Sequence, residues 1–277
     1  MAKKSSPTVR QRRLAAELRQ LRKRSNLSAE EVANRLGWSA AKVYRTEAGE
    51  TLPPLSHVIN LIELYGVDDT TRAALIDLAR EARRRGWWTA FTDVLPTAYV
   101  SLEDEASRIQ AYEAQVMHGL LQSEDYARAV LGLSGALQED VERRLQARMA
   151  RKTLLTRPNA PQVEIILDEA VLRRVIGDPE IMRDQMHALR ATARRPNVSI
   201  RVLPFSAAGA HVDGPMTILT FAPEDPEVIF IEGMGGNLYL EAAHQVDTVK
   251  RAYQRIADRA LDESESAALI AALAKEG

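Results

Sequence analysis

The five histidines, at positions 57, 118, 187, 211 and 244, are the residues of this 277-residue chain best suited to proton transfer or metal ligation. None lies in an HExxH pattern or four residues from another histidine, so no helix face offers two imidazoles to a zinc ion. His211 and Asp213 stand two apart in a glycine-containing loop, where a carboxylate can orient an imidazole as a base. A loop histidine beside a turn-forming aspartate is the simpler reading. Asp168 and Glu169 follow an apolar run and could pair as acid and base, but the AVLRRV behind them reads as a helix that they cap. Gly233, Gly235 and Gly236 have no helix behind them and read as a tight loop rather than a phosphate cradle. GxSxG, Walker A and GxGxxG patterns are absent, and so is cysteine, which excludes disulfides, thiolate nucleophiles and cysteine-ligated metals. The expectation is a chain that is not an enzyme, with no catalytic residue, metal or cofactor.

Recognition of a polyanion is the chemistry that remains. The formal net charge is −1, yet residues 1–90 carry 17 Lys and Arg against 10 Asp and Glu, while the other 187 carry 20 against 28. Such a split suits a basic part that meets a polyanion, or reflects ordinary variation in solvated faces. A motif inside the basic part favours the first. In LSAEEVANRLGWSAAKVYRTEAGE, from Leu27 to Glu50, Ala33, Gly37 and Val43 follow one another at spacings of four and six. Two helices joined by a short turn need a small residue where they cross, a residue tolerant of positive φ in the turn, and an apolar anchor on the second helix. These three residues are the steric signature of a helix-turn-helix.

The elements that must position this motif are read from the flanking pattern. Leu14, Leu18 and Leu21 recur at helical spacing between Val9 and Arg24, and Ser25-Asn26 breaks the run. Ser28 caps the next helix, with Glu31 completing a capping box, and Gly37 stops it. Ser39 caps a third from Ala40 to Ala48, ended by Gly49. Pro53-Pro54 opens a fourth carrying Val58, Leu61, Ile62 and Tyr65, closed by Gly66, and a fifth starts near Asp69. This gives an all-α five-helix domain over residues 14–90. A basic flexible arm, residues 1–13 with Lys3, Lys4, Arg10, Arg12 and Arg13, precedes it. The arm can follow a DNA backbone, enter a minor groove or remain a solvated tail.

Arg83-Arg84-Arg85-Gly86-Trp87-Trp88 ends the helical pattern, which places a boundary near residue 90, with the tryptophans packing against the next domain rather than stacking on nucleic acid. Residues 91–277 read as a larger α+β domain with a small sheet covered by helices. Its helices fall at 102–116 (acidic at its start through Glu103, Asp104 and Glu105), 123–131, 139–155, 180–194, 243–261 and 263–275. Its strands fall at 163–167, 198–203, 216–221 and 228–231. The 45% hydrophobic content suffices for two cores, no apolar run is long enough to span a bilayer, and the start MAKKSSPTVRQRR lacks a signal peptide's apolar segment. A soluble cytoplasmic protein without membrane contact is expected.

Residues 14–67 resemble the XRE (Cro and lambda-repressor) helix-turn-helix domains, whose Glu-x-Gly ending is matched by Glu47-Ala48-Gly49. The resemblance implies an ion pair between Arg22, near the end of the first helix, and Glu47, read as structural. It also implies a recognition helix in the major groove of double-stranded DNA with Ala40, Ala41 and Arg45 facing the bases and Lys42 and Tyr44 beside them. Arg45 suits bidentate contact with a guanine, and Ser28 and Ser39 suit phosphates at helix N-termini. Two departures are Ala29, where relatives often carry a phosphate-clamping Gln, and Thr46, where an apolar core residue is usual.

YEAQVMHGLLQSEDYA (Tyr112–Ala127), LDEAVLRRVIG (Leu167–Gly177), LPFSAAGAH (Leu203–His211) and DGPMTILTF (Asp213–Phe221) resemble the domain of unknown function attached to XRE domains in actinobacterial regulators of the Scr-type, WhiJ-like group, often described as antitoxin-like. Met117-His118 departs from the usual Val-Pro. This resemblance implies a small acidic or antitoxin-paired protein encoded nearby as partner, or a ligand. A homodimer is expected because one such module buries little DNA surface. Three roles stay open: a regulator reading two half-sites, an antitoxin-like protein that regulates its own operon, and a ligand sensor.

Overall fold

A computed structural model describes residues 9–83, 86–133, 137–207, 214–223, 225–233 and 236–276. The chain forms two compact units, Met1–Ala90 with Pro96–Leu102, and Phe91–Leu95 with Glu103–Gly277. Residues 96–102 group by contact with the first unit, beyond the boundary expected near residue 90.

The first unit holds five helices: α1 (Val9–Arg24), α2 (Ala29–Leu36), α3 (Ala40–Glu47), α4 (Leu55–Tyr65) and α5 (Asp69–Glu81). Local chemistry sets their ends. Ser28, Ser39 and Asp68 each accept a backbone N–H from the residue three positions on, and Gly37 and Gly66 close α2 and α4 in the left-handed region. Residues 9–13, expected in a flexible arm, are instead the start of α1, where the propensity of the run outweighs its charge. The core is one cluster in which Leu14, Leu18, Val32, Val58 and Ile62 are almost wholly buried. Burying each such side chain contributes about 1.5–3 kcal/mol. Thr46, which departs from the usual apolar residue, is buried all the same, with 3% of its surface exposed.

The second unit is α+β, around one six-stranded sheet of order β3-β2-β1-β4-β5-β6. Strands β1 (Arg108–Glu113), β2 (Gln162–Asp168) and β3 (Val198–Leu203) run parallel; β4 (Met216–Thr220), β5 (Val228–Ile231) and β6 (Leu238–Leu240) are antiparallel. The helices are α6 (Thr97–Glu105, beginning in residues of the first unit), α7 (Glu124–Gly132), α8 (Gln138–Arg151), α9 (Glu169–Arg173), α10 (Pro179–Thr192), α11 (Ala243–Ala257) and α12 (Glu263–Glu276). Tyr112, Ile166, Met216, Ile218 and Ile229 pack with Val246, Tyr253 and Ile256 of α11. The register brings Glu113, Asp168 and Leu203, the last residues of β1, β2 and β3, to one end of the sheet, together with Ile231 of β5.

One expected element is wrong. Residues 102–116 are not a helix: α6 ends at Glu105 and β1 follows. The acidic residues thus close a helix instead of opening one. β1 is a central strand between β2 and β4, and its backbone is satisfied from both sides only in extended form. Tertiary pairing overrides the local pattern here.

Candidate nucleic-acid interface

The crossing of α2 and α3 is built by the residues that its spacing singled out. Gly37 sits at φ 65°, ψ 34°, its N–H donating to the carbonyls of Ala33 and Asn34. The Trp38 N–H reaches the Ala33 carbonyl at 2.8 Å. Ala33 and Val43 are both buried in the core cluster, 3% and 2% exposed. The capping box at α2 is complete: Ser28 Oγ accepts the Glu31 N–H at 3.1 Å, and the Glu31 carboxylate accepts the Ser28 N–H at 2.7 Å. At α3, Ser39 Oγ accepts the Lys42 N–H at 3.3 Å.

Arg22 and Glu47 form the pair that fixes α1 to the end of α3. Arg22 Nε and Nη2 donate to the two Glu47 oxygens at 2.7 and 2.9 Å, and Nη1 donates to the Leu27 carbonyl at 2.8 Å. The hydrogen bond to Glu47 holds the guanidinium pKa above its ordinary value, against the opposing pull of burial. Tyr65, behind them, has a buried hydroxyl without a partner, and burial raises its pKa.

The base-facing candidates divide into three kinds. Ala41 and Arg45 are exposed, and among the described residues the Arg45 guanidinium has no hydrogen bond or ion pair. Ala40 is half-buried against the core and presents only part of its methyl. Lys42 and Tyr44 are tethered. The Lys42 ammonium sits 3.9 Å above the Trp38 ring and 3.4 Å from His57 Nε2. The Trp38 and His57 rings lie 4.7 Å apart, and burial followed by the charge of Lys42 lowers the His57 pKa. The Tyr44 hydroxyl donates to Glu30 at 2.9 Å, which raises its own pKa. Sequence reasoning missed Glu30, Trp38 and His57, because three separate elements supply them.

The two helix N-termini differ in charge. Glu30 and Glu31 occupy the first turn of α2 beside Ser28, whereas the first turn of α3 beside Ser39 has no acid. An oxyanion therefore meets less repulsion at Ser39. An open groove of about 450 Å³ also runs between α1 and the end of α3, lined by Arg12, Arg19 and Lys23 among others.

Comparison with known families matches a helix-turn-helix domain to residues 13–75 and a domain of unknown function, DUF5753, to residues 96–272. The chain belongs to the DUF5753 family. No curated protein and no solved structure matches it. The helix-turn-helix domain marks this DUF5753 protein as a DNA-binding regulator. No helix among its described residues is long and apolar enough to cross a membrane.

Within the DUF5753 unit the acid–base candidates are committed to structure. Asp168 Oδ1 caps α9 by accepting the Ala170 N–H at 2.9 Å, and Oδ2 accepts the Tyr112 hydroxyl at 2.9 Å. Glu169 accepts from Arg173 at 2.6 Å and from the Phe205 N–H at 2.8 Å. His118 is buried, and burial together with Arg151 and Arg148 depresses its pKa to about 3. The Gly236 N–H donates to the Gly233 carbonyl at 3.1 Å, and Gly235 lies outside the described residues. His211 and Asp213 lie outside the described residues. Among the described residues no three His, Asp or Glu side chains are grouped to hold a metal ion.

Proposed function

We propose that this protein is a sequence-specific, XRE-type transcriptional regulator, acting as a cytoplasmic homodimer on double-stranded DNA, with a DUF5753 domain that senses a partner protein or ligand and has no enzymatic role. The guanidinium of Arg45, exposed and without a polar partner among the described residues, on a helix locked at one end by Arg22 and Glu47, carries the reading. A bidentate arginine–guanine contact discriminates by about 1–3 kcal/mol, and a braced helix loses little in making it. Ala41 beside it suits a thymine methyl. Two copies would read half-sites one turn, or a multiple of it, apart.

Membership of the Scr-type, WhiJ-like group of actinobacterial regulators belongs to the same reading, on the motifs of the second half. The second reading is an antitoxin-like protein that binds a small partner encoded nearby and regulates its own operon. The resemblance of the second half and its acidic excess, 28 Asp and Glu against 20 Lys and Arg over residues 91–277, support it.

A gel shift with DNA upstream of the protein's own operon tests the first reading. Arg45→Ala should retain the fold and lose preference for one base pair. Unchanged preference in that variant rejects the docking. Growth arrest when the neighbouring gene is expressed alone, relieved by this protein, selects the second reading.

A further inference from the structure

Helix α8 carries four arginines, Arg143, Arg144, Arg148 and Arg151, with Lys152 directly after it. Among the described residues Arg143 is matched by Asp93 at 3.2 Å and Arg151 by Glu103, which is itself 1% exposed at its side chain. Gly119 makes room for this pair, since a Cβ there would lie 2.9 Å from the Arg151 guanidinium. The remaining cations have no such counterpart. Arg148 is half-buried, and its Nη1 donates to the neutral Gln122 side chain at 2.6 Å. Lys152 donates to the Gln122 main-chain carbonyl at 2.5 Å. Arg144, one turn before Arg148, has a buried Nε with no partner. Among the described residues the guanidinium of Arg144 has neither hydrogen bond nor ion pair.

A half-buried guanidinium without an anion is costly, because burial removes water and a neutral amide oxygen replaces only part of it. Burial, then the neighbouring charge of Arg151, push the Arg148 pKa down to about 10. The carboxylates near this patch do not neutralise it. Burial, reinforced by Glu232, raises the Glu113 carboxyl to about 8, so it is mostly neutral at pH 7. Glu232 is exposed and acts on Arg148 only through space. The Tyr126 hydroxyl, bonded to the Met117 N–H at 3.3 Å, feels both Arg148 and Arg174. The patch is thus a surplus of donors: two arginines, a neutral carboxyl and a phenol.

We propose that the DUF5753 unit binds a small oxyanion, the carboxylate or phosphate group of a small molecule, at α8, with Arg148 and Arg144 as its charged donors. The anion supplies the charge that Arg148 lacks, and the two guanidiniums one helical turn apart grip a planar or tetrahedral oxyanion. This goes beyond the DNA-binding reading and does not depend on it, since every residue named belongs to the second unit.

The full chain is titrated with inorganic phosphate and, separately, with succinate, at ionic strength held constant with sodium chloride, and binding is followed by calorimetry. Saturable binding of either, millimolar or tighter, is expected, and the better of the two gives the class of oxyanion. Arg148→Gln should weaken it at least tenfold. Arg144→Gln, which removes no hydrogen bond or ion pair among the described residues, should weaken it severalfold with unchanged circular dichroism, so a failure of the first variant to fold leaves the second decisive. Arg45→Ala should bind the anion as the unaltered chain does. Chloride-like, non-saturable behaviour with both probes overturns the proposal. So do full affinity in the folded Arg144→Gln protein and loss of saturable binding in Arg45→Ala. A negative gel shift with intact anion binding would instead count only against the DNA reading.

Discussion

Arg22 and Glu47 face each other fork to fork across 25 residues of chain, 2.7 Å between Nε and Oε1 and 2.9 Å between Nη2 and Oε2. Their side chains are 13% and 5% exposed, so the pair is largely withdrawn from solvent. A third guanidinium N–H holds the Leu27 carbonyl at 2.8 Å, just before α2 begins. One side chain thereby ties α1, the entrance to α2 and the end of α3. The angle at which α3 leaves the body of the domain depends on this knot and on the burial of Ala33 and Val43 in the core together.

Breaking that pair from one side should be costly. Arg22→Met or Glu47→Gln leaves a partly buried charge without its counterpart, which typically costs about 3–5 kcal/mol. The joint replacement by Met and Leu should recover much of the loss, because two apolar groups need no solvation. Denaturant unfolding of the three variants measures this. Single losses below about 1 kcal/mol would mean that the pair is an ordinary surface bridge.

Gly37 makes a different kind of demand. Its φ of 65° is left-handed, yet a Cβ there would meet nothing within 4 Å. Strain alone opposes substitution, about 1–2 kcal/mol for an ordinary residue. Gly37→Ala should lose about 1 kcal/mol and Gly37→Val more, while Gly37→Asn loses least, because Asn tolerates this region. Thermal melts give the order, and equal losses for Asn and Val would sink the argument.

That contrast explains what could be read in advance. Ser28 with Glu31, Gly37, Gly66 and the leucines at 14, 18 and 21 are signals contained within a turn or two, and the first unit follows from them. β1 has no such signal. Ile109 becomes a strand residue by facing Val163 and Leu219, both more than fifty residues away. The same limit applies at the interface. Arg45 is legible because its face of α3 is open, whereas the Lys42 clamp needs Trp38 from the turn and His57 from α4.

Two buried groups in the second unit should tilt stability against pH in opposite directions. His118 has its pKa depressed from 6.5 to about 3, by burial first and then by Arg151 and Arg148. Between those values the unfolded chain binds a proton that the folded chain refuses, so this contribution rises with pH and is lost as pH falls below 6.5. Glu113 is raised from 4.5 to about 8, by burial first, then Glu232, opposed by Arg151. Between those values the folded chain keeps a proton that the unfolded chain releases, so this contribution falls as pH rises. They offset each other from about pH 4.5 to 6.5, and Glu113 acts alone from 6.5 to 8, where it removes about 2 kcal/mol. Unfolding free energies of Glu113→Gln should lack that alkaline decline relative to the unaltered chain, and His118→Asn should lack part of the acid decline. A Glu113→Gln profile parallel to that of the unaltered chain above pH 6.5 contradicts the assignment.

Lys42 poses the last test, because its place on Trp38 competes with DNA. A cation over an indole gains about 0.5–1 kcal/mol at an exposed site, and His57, kept neutral by burial and by Lys42 itself, adds an acceptor. A phosphate near Ser39 offers a full negative charge instead, so on the proposed docking the ammonium should leave the ring for the backbone. Lys42→Met should then reduce the slope of log K against log salt by about 0.9 and weaken all sequences alike. Arg45→Ala should do the converse, relaxing one base position with a smaller effect shared by every sequence. Quantitative gel shifts across a salt series separate the two. An unchanged slope for Lys42→Met would show that the ammonium stays on Trp38 in the complex, and would make this residue a brace for the turn instead of a phosphate contact.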